Sequence, residues 1–395
     1  MIASGWRLPE SSPRSTALSG AYIANANGAD TTYYNPANIQ FNPNIYQVEI
    51  GLMNANLESI KYKDKDGDTT KDGKSEEENT LIPSIFITTP DISGLRYGFS
   101  ITVPGGLTKR WESAYQKTYA EEFSLRIIEF NPTMSYLINK DFSIAGGLRV
   151  IYSDGTVKSD GTEAGKPVKR DMEGTTTEYG YNLALAYKPE DNSNVTLTYR
   201  SNVDLTEEGN AQLYVSGTKV YDGGAEVTVP LPAVLTLAYA HTQDKTTVEL
   251  EFDRTYWSSY ENLDFEYKSE IAPILQSSFD TPKKREWKDT NAYRIGITHE
   301  YNDDLSLMFG FSADGNPINE EVFSFESPDY NSNTYSFGFD YKLDKDSSFG
   351  MGYLLSEKTD RTVSNTDATT GGEYIDGTFT NAKAHLLSFG YRMGF

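Results

Sequence analysis

From about residue 44 to the C-terminus, the chain consists largely of short segments in which large apolar side chains occupy every second position. The last segment, SFGYRMGF, places Phe389, Tyr391, Met393 and Phe395 in alternation with Ser, Gly and Arg. A period of two residues puts such side chains on one face of a β-strand. Most of this chain is therefore restricted to β-structure with one apolar face.

The apolar faces of these segments have a characteristic order. The same alternation recurs in segments 46–52, 97–103, 142–152, 179–187, 195–199, 235–239, 248–252, 293–297, 305–311, 335–341 and 349–355. Several faces begin or end in Tyr with aliphatic residues between, which is the order that two aromatic girdles around an aliphatic belt produce. The opposite faces contain many Gly and Ser residues, which suit a crowded interior better than the water-facing side of a soluble sandwich. The pattern therefore favours a membrane barrel.

The gaps between the segments alternate strictly between short and long. Short polar turns occupy 91–93, 139–141, 189–194, 243–245, 302–304 and 344–348. Long gaps occupy 61–80, 105–123, 159–174, 207–224, 258–289, 313–333 and 359–380. Outer-membrane barrels have short periplasmic turns and long extracellular loops. If each long gap closes one hairpin, the chain forms an all-β, antiparallel transmembrane β-barrel of about 14 strands, an even number as this class requires.

Composition excludes several classes of function. The net charge of −22 argues against a nucleic-acid partner, because phosphate binding needs clustered Lys and Arg. The chain has no cysteine, its three histidines lie on different segments, and the acidic stretch 64–68 lacks the spacing of a calcium loop. We therefore predict no metal and no cofactor. No G-x-S-x-G motif or nucleophile–base set is present, so the chain is not expected to be an enzyme.

Residues 1–43 do not alternate and are rich in small residues, Gly, Asn and Pro. A barrel of about 14 strands encloses a lumen too wide for its own side chains to fill. We therefore predict two parts, an N-terminal hatch (plug) at 1–43 and a barrel at 44–395, with a disordered tail as the alternative for 1–43. No signal-peptide-like apolar stretch follows Met1, so we expect the mature chain, after signal-peptide removal, with a starting Met supplied.

One N-terminal stretch resembles a known family. The stretch SGWRLPESSPRSTALSGAYIANANGADTTYYNPANI resembles the hatch of the FadL/TodX family, outer-membrane transporters of long-chain fatty acids and other hydrophobic compounds. The resemblance continues in KRDMEGTTTEYGYNLALAYKPEDNSNVTLTYRSNVDL, in VPLPAVLTLAYAHTQDKTTVELEFDRTYWSSYENLDF and in WKDTNAYRIGITHEYNDDLSLMFGFSADGNPI. It thus covers nearly the whole chain. It implies a 14-stranded barrel with a hatch in its lumen, in the outer membrane of a Gram-negative bacterium.

The resemblance also implies a route for the cargo. Ligand would be captured between extracellular loops, move to a site near the N-terminus, and leave sideways through a gap in the wall where the third strand is kinked. The residues that match the hatch motif beside that gap are Asn35, Pro36 and Ala37. The residues expected at the kink are Pro104, Gly105 and Gly106. Pro removes a donor from the ladder and Gly weakens a strand, so the local chemistry agrees with a kink; the alternative is that Pro104 ends the strand.

Candidate ligand contacts follow from the resemblance and from alternation. Trp6 corresponds to the family's aromatic residue near the N-terminus. By alternation Lys288 and Arg294 share a face with Gly296, predicted to point into the lumen, where a cation would bind a carboxylate headgroup. The alternative for each is an ion pair with acidic residues of a neighbouring strand, namely Glu249, Glu251 and Asp253. Ile271, Ile274, Leu275 and Phe279 are apolar candidates for the capture groove, or for packing within the loop.

The cargo stays open at this stage. The family pattern leads us to expect a basic residue near Asp154, and the acidic residue there places a fatty-acid headgroup in doubt and leaves room for a neutral hydrocarbon. The leading hypothesis is passive transport of long-chain fatty acids or other hydrophobic molecules. The alternatives are an uptake channel for neutral aromatic hydrocarbons, a general aqueous porin in which residues 1–43 are mobile, and a surface adhesin.

The expected partners are a hydrophobic small molecule, outer-membrane lipid and lipopolysaccharide, and the barrel assembly machinery. That machinery would recognise the C-terminal aromatic pattern of Tyr391, Met393 and Phe395. We expect a monomer.

Overall fold

The computed structural model describes residues 5–365 and 374–395. In chain order the strands are β1 (Gln47–Leu57), β2 (Lys61–Asp64), β3 (Gly73–Lys74), β4 (Glu78–Thr88), β5 (Leu95–Thr102), β6 (Gly106–Arg110), β7 (Glu122–Asn139), β8 (Phe142–Asp160), β9 (Val168–Glu190), β10 (Ser193–Arg200), β11 (Val203–Val215), β12 (Thr218–Leu231), β13 (Val234–Gln243), β14 (Thr246–Thr255), β15 (Asn262–Leu263), β16 (Phe265–Tyr267), β17 (Lys283–Lys284), β18 (Thr290–Glu300), β19 (Leu305–Asp314), β20 (Ser332–Lys342), β21 (Ser347–Lys358), β22 (Arg361–Asn365), β23 (Ile375–Thr380) and β24 (Lys383–Gly394).

The helices are few and short. They are α1 (Pro13–Ala17), α2 (Thr31–Tyr34), α3 (Ala114–Ala120) and α4 (Pro273–Leu275), with 3₁₀ turns at Pro36–Phe41, Trp257–Ser259 and Glu320–Val322 and a π-helical turn at Gln276–Asp280. In the part of the chain that the structure describes, no helix has the length and apolar character needed to cross a membrane.

The wall is a closed barrel of 14 antiparallel strands, so the predicted fold class is confirmed. Around the ring the order is β1, β4, β5 with β6, β7, β8, β9, β10 with β11, β12 with β13, β14, β18, β19, β20, β21 and β24. The last strand pairs with the first, from Gln47↔Gly394 to Leu57↔Ala384. Because the ring closes, the sheet leaves no free edge at either terminus.

The apolar face of each strand points outward. In β24, Phe389, Tyr391 and Met393 are about 40% exposed, at 40%, 39% and 41%, whereas Leu386 and Ser388 on the opposite face are buried. The outward side chains of the neighbouring strands follow the same rule, which gives the barrel an apolar outer surface and a polar or small-residue lumen face. This is the arrangement that lipid on the outside requires.

Two of the predicted long gaps are strands instead. Residues 159–174 are mostly the ends of β8 and β9, joined at 161–167, and residues 207–224 belong to the hairpin of β11 and β12. The hairpin pairs with β9, from Glu208↔Thr175 to Val215↔Val168. Backbone pairing extends these strands beyond the apolar belt, where alternation no longer marks them. The predicted gap at 359–380 lies partly outside the described residues.

The segment before β1 contacts lumen-facing side chains all round the ring. Ala24 and Asn25 donate backbone N–H groups to Glu249 of β14, at 2.5 and 3.0 Å. The Ser19 hydroxyl lies 2.8 Å from that of Ser336 in β20, and the Ser143 hydroxyl of β8 donates to the Ala37 carbonyl at 2.8 Å. These contacts join one short segment to well-separated parts of the wall.

Small residues on the wall allow this segment to approach closely. A Cβ at Gly310 of β19 would lie 2.1 Å from the carbonyl carbon of Leu18, and one at Gly352 of β21 would lie 2.3 Å from the carbonyl oxygen of Pro13. No side chain fits at such distances, so these positions need glycine. The many Gly residues on the inner faces of the strands thus have a packing role.

Deletion of Phe395 is expected to weaken the seam of the barrel. Phe395 exchanges two backbone hydrogen bonds with Tyr46, at 3.0 and 3.1 Å, and its ring stacks on that of Tyr46 with centroids 5.8 Å apart. Their loss costs about 2–3 kcal/mol. We expect the amount of folded protein in the membrane fraction to fall several-fold, measured by immunoblot of heated and unheated samples. Phe395→Tyr keeps the ring and serves as the control; a normal level after deletion would contradict this role.

Candidate functional site

The third strand of the wall is interrupted. β5 ends at Thr102 and β6 begins at Gly106, and Pro104 between them has no N–H to donate. β5 pairs with β4 only from Ile85↔Ile101 to Thr88↔Gly98, while β6 pairs with β7. Within the described residues, β4 from 78 to 84 therefore has no strand partner on this side. The break falls at the residues where the sequence predicted a kink.

The interruption leaves an opening with defined limits, which we call the wall window and define by residues 78–84 and 102–108. At its upper limit the Glu76 N–H donates to the Arg110 carbonyl at 2.8 Å, and Arg110 Nε lies 3.0 Å from Glu78 Oε1. Its lower limit is the first β4–β5 pair, Ile85 with Ile101. Pairing on both sides thus confines the opening to a single stretch of the wall.

A cavity of about 330 Å³ occupies the wall window. It is lined by residues from both faces of the wall, including lumen-facing Leu57, Ile82, Leu125 and Ile127 and outward-facing Leu81, Arg126, Ile128 and Asp154. Its volume lies at the lower end of the range of small-molecule pockets. Because both faces contribute, the cavity connects the inside of the barrel with its outer surface.

The outer rim of the window carries one ion pair. Arg126 Nε and Nη2 each lie 2.7 Å from Asp154 Oδ1, and the Arg126 side chain is 75% exposed. Asp154 is on the opposite face of β8 from the buried Ser153 and Ile151. From the sequence alone, Asp154 is expected to bear on the binding of a headgroup in the lumen. The structure corrects this inference, because the carboxylate lies at the outer rim.

The N-terminal segment pairs with the wall through a β-bridge beside the kink. Arg7 forms a β-bridge with Gly105, the Leu8 N–H donates to the Pro104 carbonyl at 2.9 Å, and the Gly106 N–H donates to the Trp6 carbonyl at 2.9 Å. Arg7 and Leu8 also line the window cavity. The backbone of residues 6–8 therefore adds two hydrogen bonds at the point where the strand is interrupted.

Trp6 anchors this segment in an aromatic cluster. Its ring centroid lies 4.8 Å from that of Trp257, 5.3 Å from Tyr260 and 5.0 Å from Trp287, and its side chain is buried. The sequence identifies Trp6 as a candidate but not its three partners, which come from the long connection between β14 and β18. The concentration of Trp and Tyr in that connection was the available signal. The cluster joins the window to the extracellular side of the barrel.

The hatch motif lies elsewhere in the lumen. Asn35 caps the following turn by accepting the Ala37 N–H at 3.1 Å, and Ala37 packs with Ala184 and Ala186 of β9. Pro36 is buried in the same turn. Residues 35–37 do not line the window cavity, whose lining from the N-terminal segment is Arg7 and Leu8. The structure thus corrects the predicted position of Asn35, Pro36 and Ala37 beside the gap.

The two predicted headgroup cations have different surroundings. Lys288 is exposed and precedes β18, so its predicted place on the lumen face is wrong. Arg294 is buried and has Glu251, Asp253 and Asp314 at 3.4, 3.3 and 2.9 Å. Arg294 Nη1 also donates to the Ser19 carbonyl at 3.2 Å. For Arg294, the pairing with neighbouring acids that the sequence left as the alternative is present.

A buried carboxyl of the N-terminal segment lies near this group. Burial raises the pKa of Glu10 to about 7, although Arg294 opposes the shift. The Glu10 carboxyl is therefore partly protonated near neutral pH, which limits the repulsion between it and Asp314. The charge inside the lumen is thus balanced by the N-terminal segment as well as by the wall.

The predicted apolar loop residues are divided between core and surface. Ile271, Leu275 and Phe279 are buried in the packed extracellular loops, whereas Ile274 is 57% exposed. The guanidinium of Arg170 lies 5.1 Å from the centroid of Phe279. Three of these four side chains thus pack within the loops, and Ile274 faces outward.

A group of ion pairs holds the connection between β14 and β18 against the connection between β19 and β20. Glu326 contacts Arg285 and lies 3.2 Å from Lys283. Burial alone would raise the pKa of Glu326, but Lys283, Arg285 and Arg170 outweigh it and hold the pKa well below its usual range. Because the pKa of the Glu326 carboxyl is lowered, its ion pairs stabilise the folded loops at pH values above 4.5, the ordinary pKa of Glu. This stabilisation is lost only as the pH falls below 4.5.

Gly105→Ala is expected to displace the N-terminal segment from the window. A Cβ at Gly105 would lie 2.6 Å from the Trp6 carbonyl oxygen, so the two backbones cannot keep their present distance. Such overpacking costs about 1–3 kcal/mol. We expect a red shift of tryptophan fluorescence and faster proteolysis at the N-terminus.

Gly106→Ala is the matched control for this change. Its nearest contact is the Leu125 carbonyl oxygen at 3.2 Å, which a small shift relieves. Equal spectra and equal protease resistance for the two variants would show that residues 6–8 are not held at the kink.

Comparisons with known proteins give a consistent result. A family model described as "Outer membrane protein transport protein (OMPP1/FadL/TodX)" matches residues 1–395. The chain is 22% identical over 304 residues to a long-chain fatty acid transport protein of Salmonella typhi, covering 69% of this chain and 68% of the relative.

Two solved structures are similar in fold. One is a Pseudomonas aeruginosa FadL homologue, with a TM-score of 0.86, 17% identity and coverage of 99% of this chain and 100% of that chain. The other is the Pseudomonas putida toluene transporter TodX, with a TM-score of 0.74, 19% identity and coverage of 97% and 98%.

Proposed function

Since this chain belongs to the OMPP1/FadL/TodX family of outer membrane transport proteins, we propose that it carries hydrophobic molecules passively across the outer membrane and releases them sideways through the wall window. The observation that carries the proposal is the window itself, a break in strand pairing with an apolar cavity that has lining residues on both faces of the wall. A channel for hydrophilic solutes has no use for such an opening.

The energetics of apolar cargo favour this route. Each methylene that leaves water contributes roughly 0.8 kcal/mol, so an acyl chain or an aromatic ring does not readily enter an aqueous pore. A cavity that connects lumen and outer face allows the cargo to pass from protein to lipid without crossing water. No energy source is needed when cargo moves down its concentration gradient.

In this proposal the N-terminal segment is the hatch, residues 1–43 as assigned from the sequence, of which residues 5–43 are described. Its ion pairs support a plug: Arg14 lies 2.8 Å from Asp30 within the segment and 2.5 Å from Glu49 of β1. Together with the bonds to Glu249 and Arg294, they hold the segment across the lumen. This arrangement favours a transporter with little ion conductance over a general aqueous porin.

Two cargo classes have support. The relative from Salmonella typhi is named for long-chain fatty acids, and the Pseudomonas putida structure is named for toluene. In this chain Arg294 already has three carboxylate neighbours and Lys288 is exposed, so neither is placed as a dedicated headgroup partner. This favours cargo in which no carboxylate must be bound, and a neutral aromatic hydrocarbon is the second candidate.

The proposal also covers the partners of the chain. No enzymatic step is assigned, in keeping with a family of transport proteins. The apolar outer face would contact outer-membrane lipid and lipopolysaccharide, the C-terminal Tyr391, Met393 and Phe395 would be read by the assembly machinery, and the chain would act as a monomer.

Uptake of labelled oleate and of labelled toluene tests the proposal, in cells that lack their own transporter and express this chain. We expect uptake of at least one of the two at several times the rate of cells with an empty vector. Purified protein in planar bilayers should show little ion current. Uptake of neither compound, together with a large steady conductance, would favour a porin instead.

A further inference from the structure

A second cavity lies beside the wall window. It has a volume of about 40 Å³ and is enclosed by side chains from β7, β8, β9, β11, β12 and the connection after β14. Its lining is mainly apolar and includes Phe123, Val157, Met172 and Phe265. We call this second cavity the chamber. Leu125 lines both the chamber and the window cavity, so the two cavities are neighbours.

Three carboxyl groups line the chamber, those of Glu173, Glu207 and Glu226, and only that of Glu207 is buried. Glu207 of β11 is only 4% exposed, and neither of its oxygens has a hydrogen-bond partner among the described residues. No described Lys or Arg forms an ion pair with it. The hydroxyl of Ser153, which faces it from β8, is fully buried and also has no hydrogen bond of proper geometry. Buried polar groups are nearly always bonded, and the contact with the single Ser153 hydroxyl leaves at least one Glu207 oxygen free to accept a hydrogen bond.

The local backbone makes room for this carboxyl. A Cβ at Gly174 would lie 3.2 Å from Glu207, and one at Gly155 would lie 3.6 Å from its Cγ. The pairing of β9 with its neighbour is interrupted between 176 and 180, where β10 ends and β11 has not yet joined. Two small residues and a break in pairing thus place the Glu207 side chain in the chamber rather than against a partner.

We propose that this chamber binds the hydroxyl end of an apolar alcohol, which names a substrate class for the transport function proposed above and rests on it. The hydroxyl donates to the Glu207 carboxyl, which lines the chamber. The chamber has room for a small headgroup, since one water needs about 10–15 Å³. The apolar body extends past Leu125 toward the window cavity. A carboxylate headgroup would place a second buried carboxyl group beside Glu207, and an alkane leaves the Glu207 carboxyl unpaired.

Binding of 1-decanol and of decanoate to the purified barrel in detergent tests the proposal, by calorimetry on the wild type and on Glu207→Leu. We expect Glu207→Leu to weaken 1-decanol binding about tenfold, because one buried hydrogen bond is lost. Decanoate binding should stay unchanged or strengthen. Glu207→Gln keeps an acceptor and should stay within threefold of wild type for 1-decanol.

Glu208→Leu is the matched control, since Glu208 is the next residue of β11 and is exposed on the opposite face. Thermal melting of every variant shows whether the barrel remains folded. Equal 1-decanol affinity in the wild type, Glu207→Leu and Glu208→Leu would overturn the proposal, and would mean that the chamber holds only water.

The uptake assay separates this result from the transport function. If the wild type takes up oleate or toluene while 1-decanol binding does not depend on Glu207, only the chamber proposal fails. If the wild type takes up none of oleate, toluene and 1-decanol, the transport function itself fails.

Discussion

A reducible cross-link across the wall window is expected to stop uptake of hydrophobic cargo while the barrel remains folded. Thr80 and Thr108 line the cavity from its two sides, on β4 and β6. The natural chain has no cysteine, so Thr80→Cys with Thr108→Cys introduces the sole reactive pair. A short bis-methanethiosulfonate reagent forms a disulfide with each cysteine, releases two sulfinate groups, and so closes the opening with a reducible bridge. We expect at least a tenfold fall in the rate of uptake, measured with labelled oleate and toluene, and recovery after reduction.

A paired position elsewhere provides the control. The hydroxyls of Thr206 and Thr228 lie 3.0 Å apart on β11 and β12, where the strands are already paired and exposed. Cross-linking cysteines at those two positions should leave uptake within twofold of wild type. Full uptake by the cross-linked Thr80–Thr108 variant would show that cargo does not pass through the window.

Arg294→Met is expected to release the N-terminal segment and to open the barrel to ions. Without the guanidinium, Glu251, Asp253 and Asp314 lose their shared partner and the Ser19 carbonyl loses its donor. Removing one partner from a buried charge group costs about 3–5 kcal/mol. We expect a lower melting temperature and at least a tenfold rise in single-channel conductance, recorded in planar bilayers.

Arg126→Met is the control that tests whether loss of any paired arginine raises the single-channel conductance. Arg126 also pairs with a carboxylate, but it is exposed, and exposed pairs contribute about 0–1 kcal/mol. Its conductance should remain that of the wild type. If Arg294→Met lowers oleate uptake alone and leaves conductance and toluene uptake unchanged, then Arg294 is a headgroup contact and not an anchor of the hatch.

Much of the barrel could be predicted because alternation is a local property. One apolar face per strand, short and long gaps and a C-terminal aromatic are all visible in the sequence, and they lead directly to a closed wall of 14 strands. The hairpin of β11 and β12 was missed because it extends above the apolar belt, where its outward side chains face water and need no alternation.

The site was predicted less well, for identifiable reasons. The strand break at Pro104 and Gly105 has a local cause, and the sequence located it. The pairing of residues 6–8 with this break joins segments about a hundred residues apart. No local pattern in the sequence encodes such a contact. Lys288 was misplaced because alternation was extended beyond the start of β18.

The alternation of the sequence was sufficient to predict that Asp154 points outward, although it was first considered with the lumen. The large apolar side chains of segment 142–152 occupy even-numbered positions, and this face is predicted to contact lipid. An even-numbered residue of the same strand must therefore point outward. Glu207 and Ser153 were not singled out, since their lack of partners depends on the three-dimensional neighbourhood.

The contacts of the N-terminal segment also impose an order on assembly. Residues 5–46 are synthesised before the strands of the wall, yet Ser19 meets Ser336 and its carbonyl meets Arg294, more than 270 residues later in the chain. Contacts between such distant parts form late, because the intervening chain must first be organised. The segment that is made first must therefore wait until the far strands are in place, and the lumen is filled only as the ring of strands closes around it.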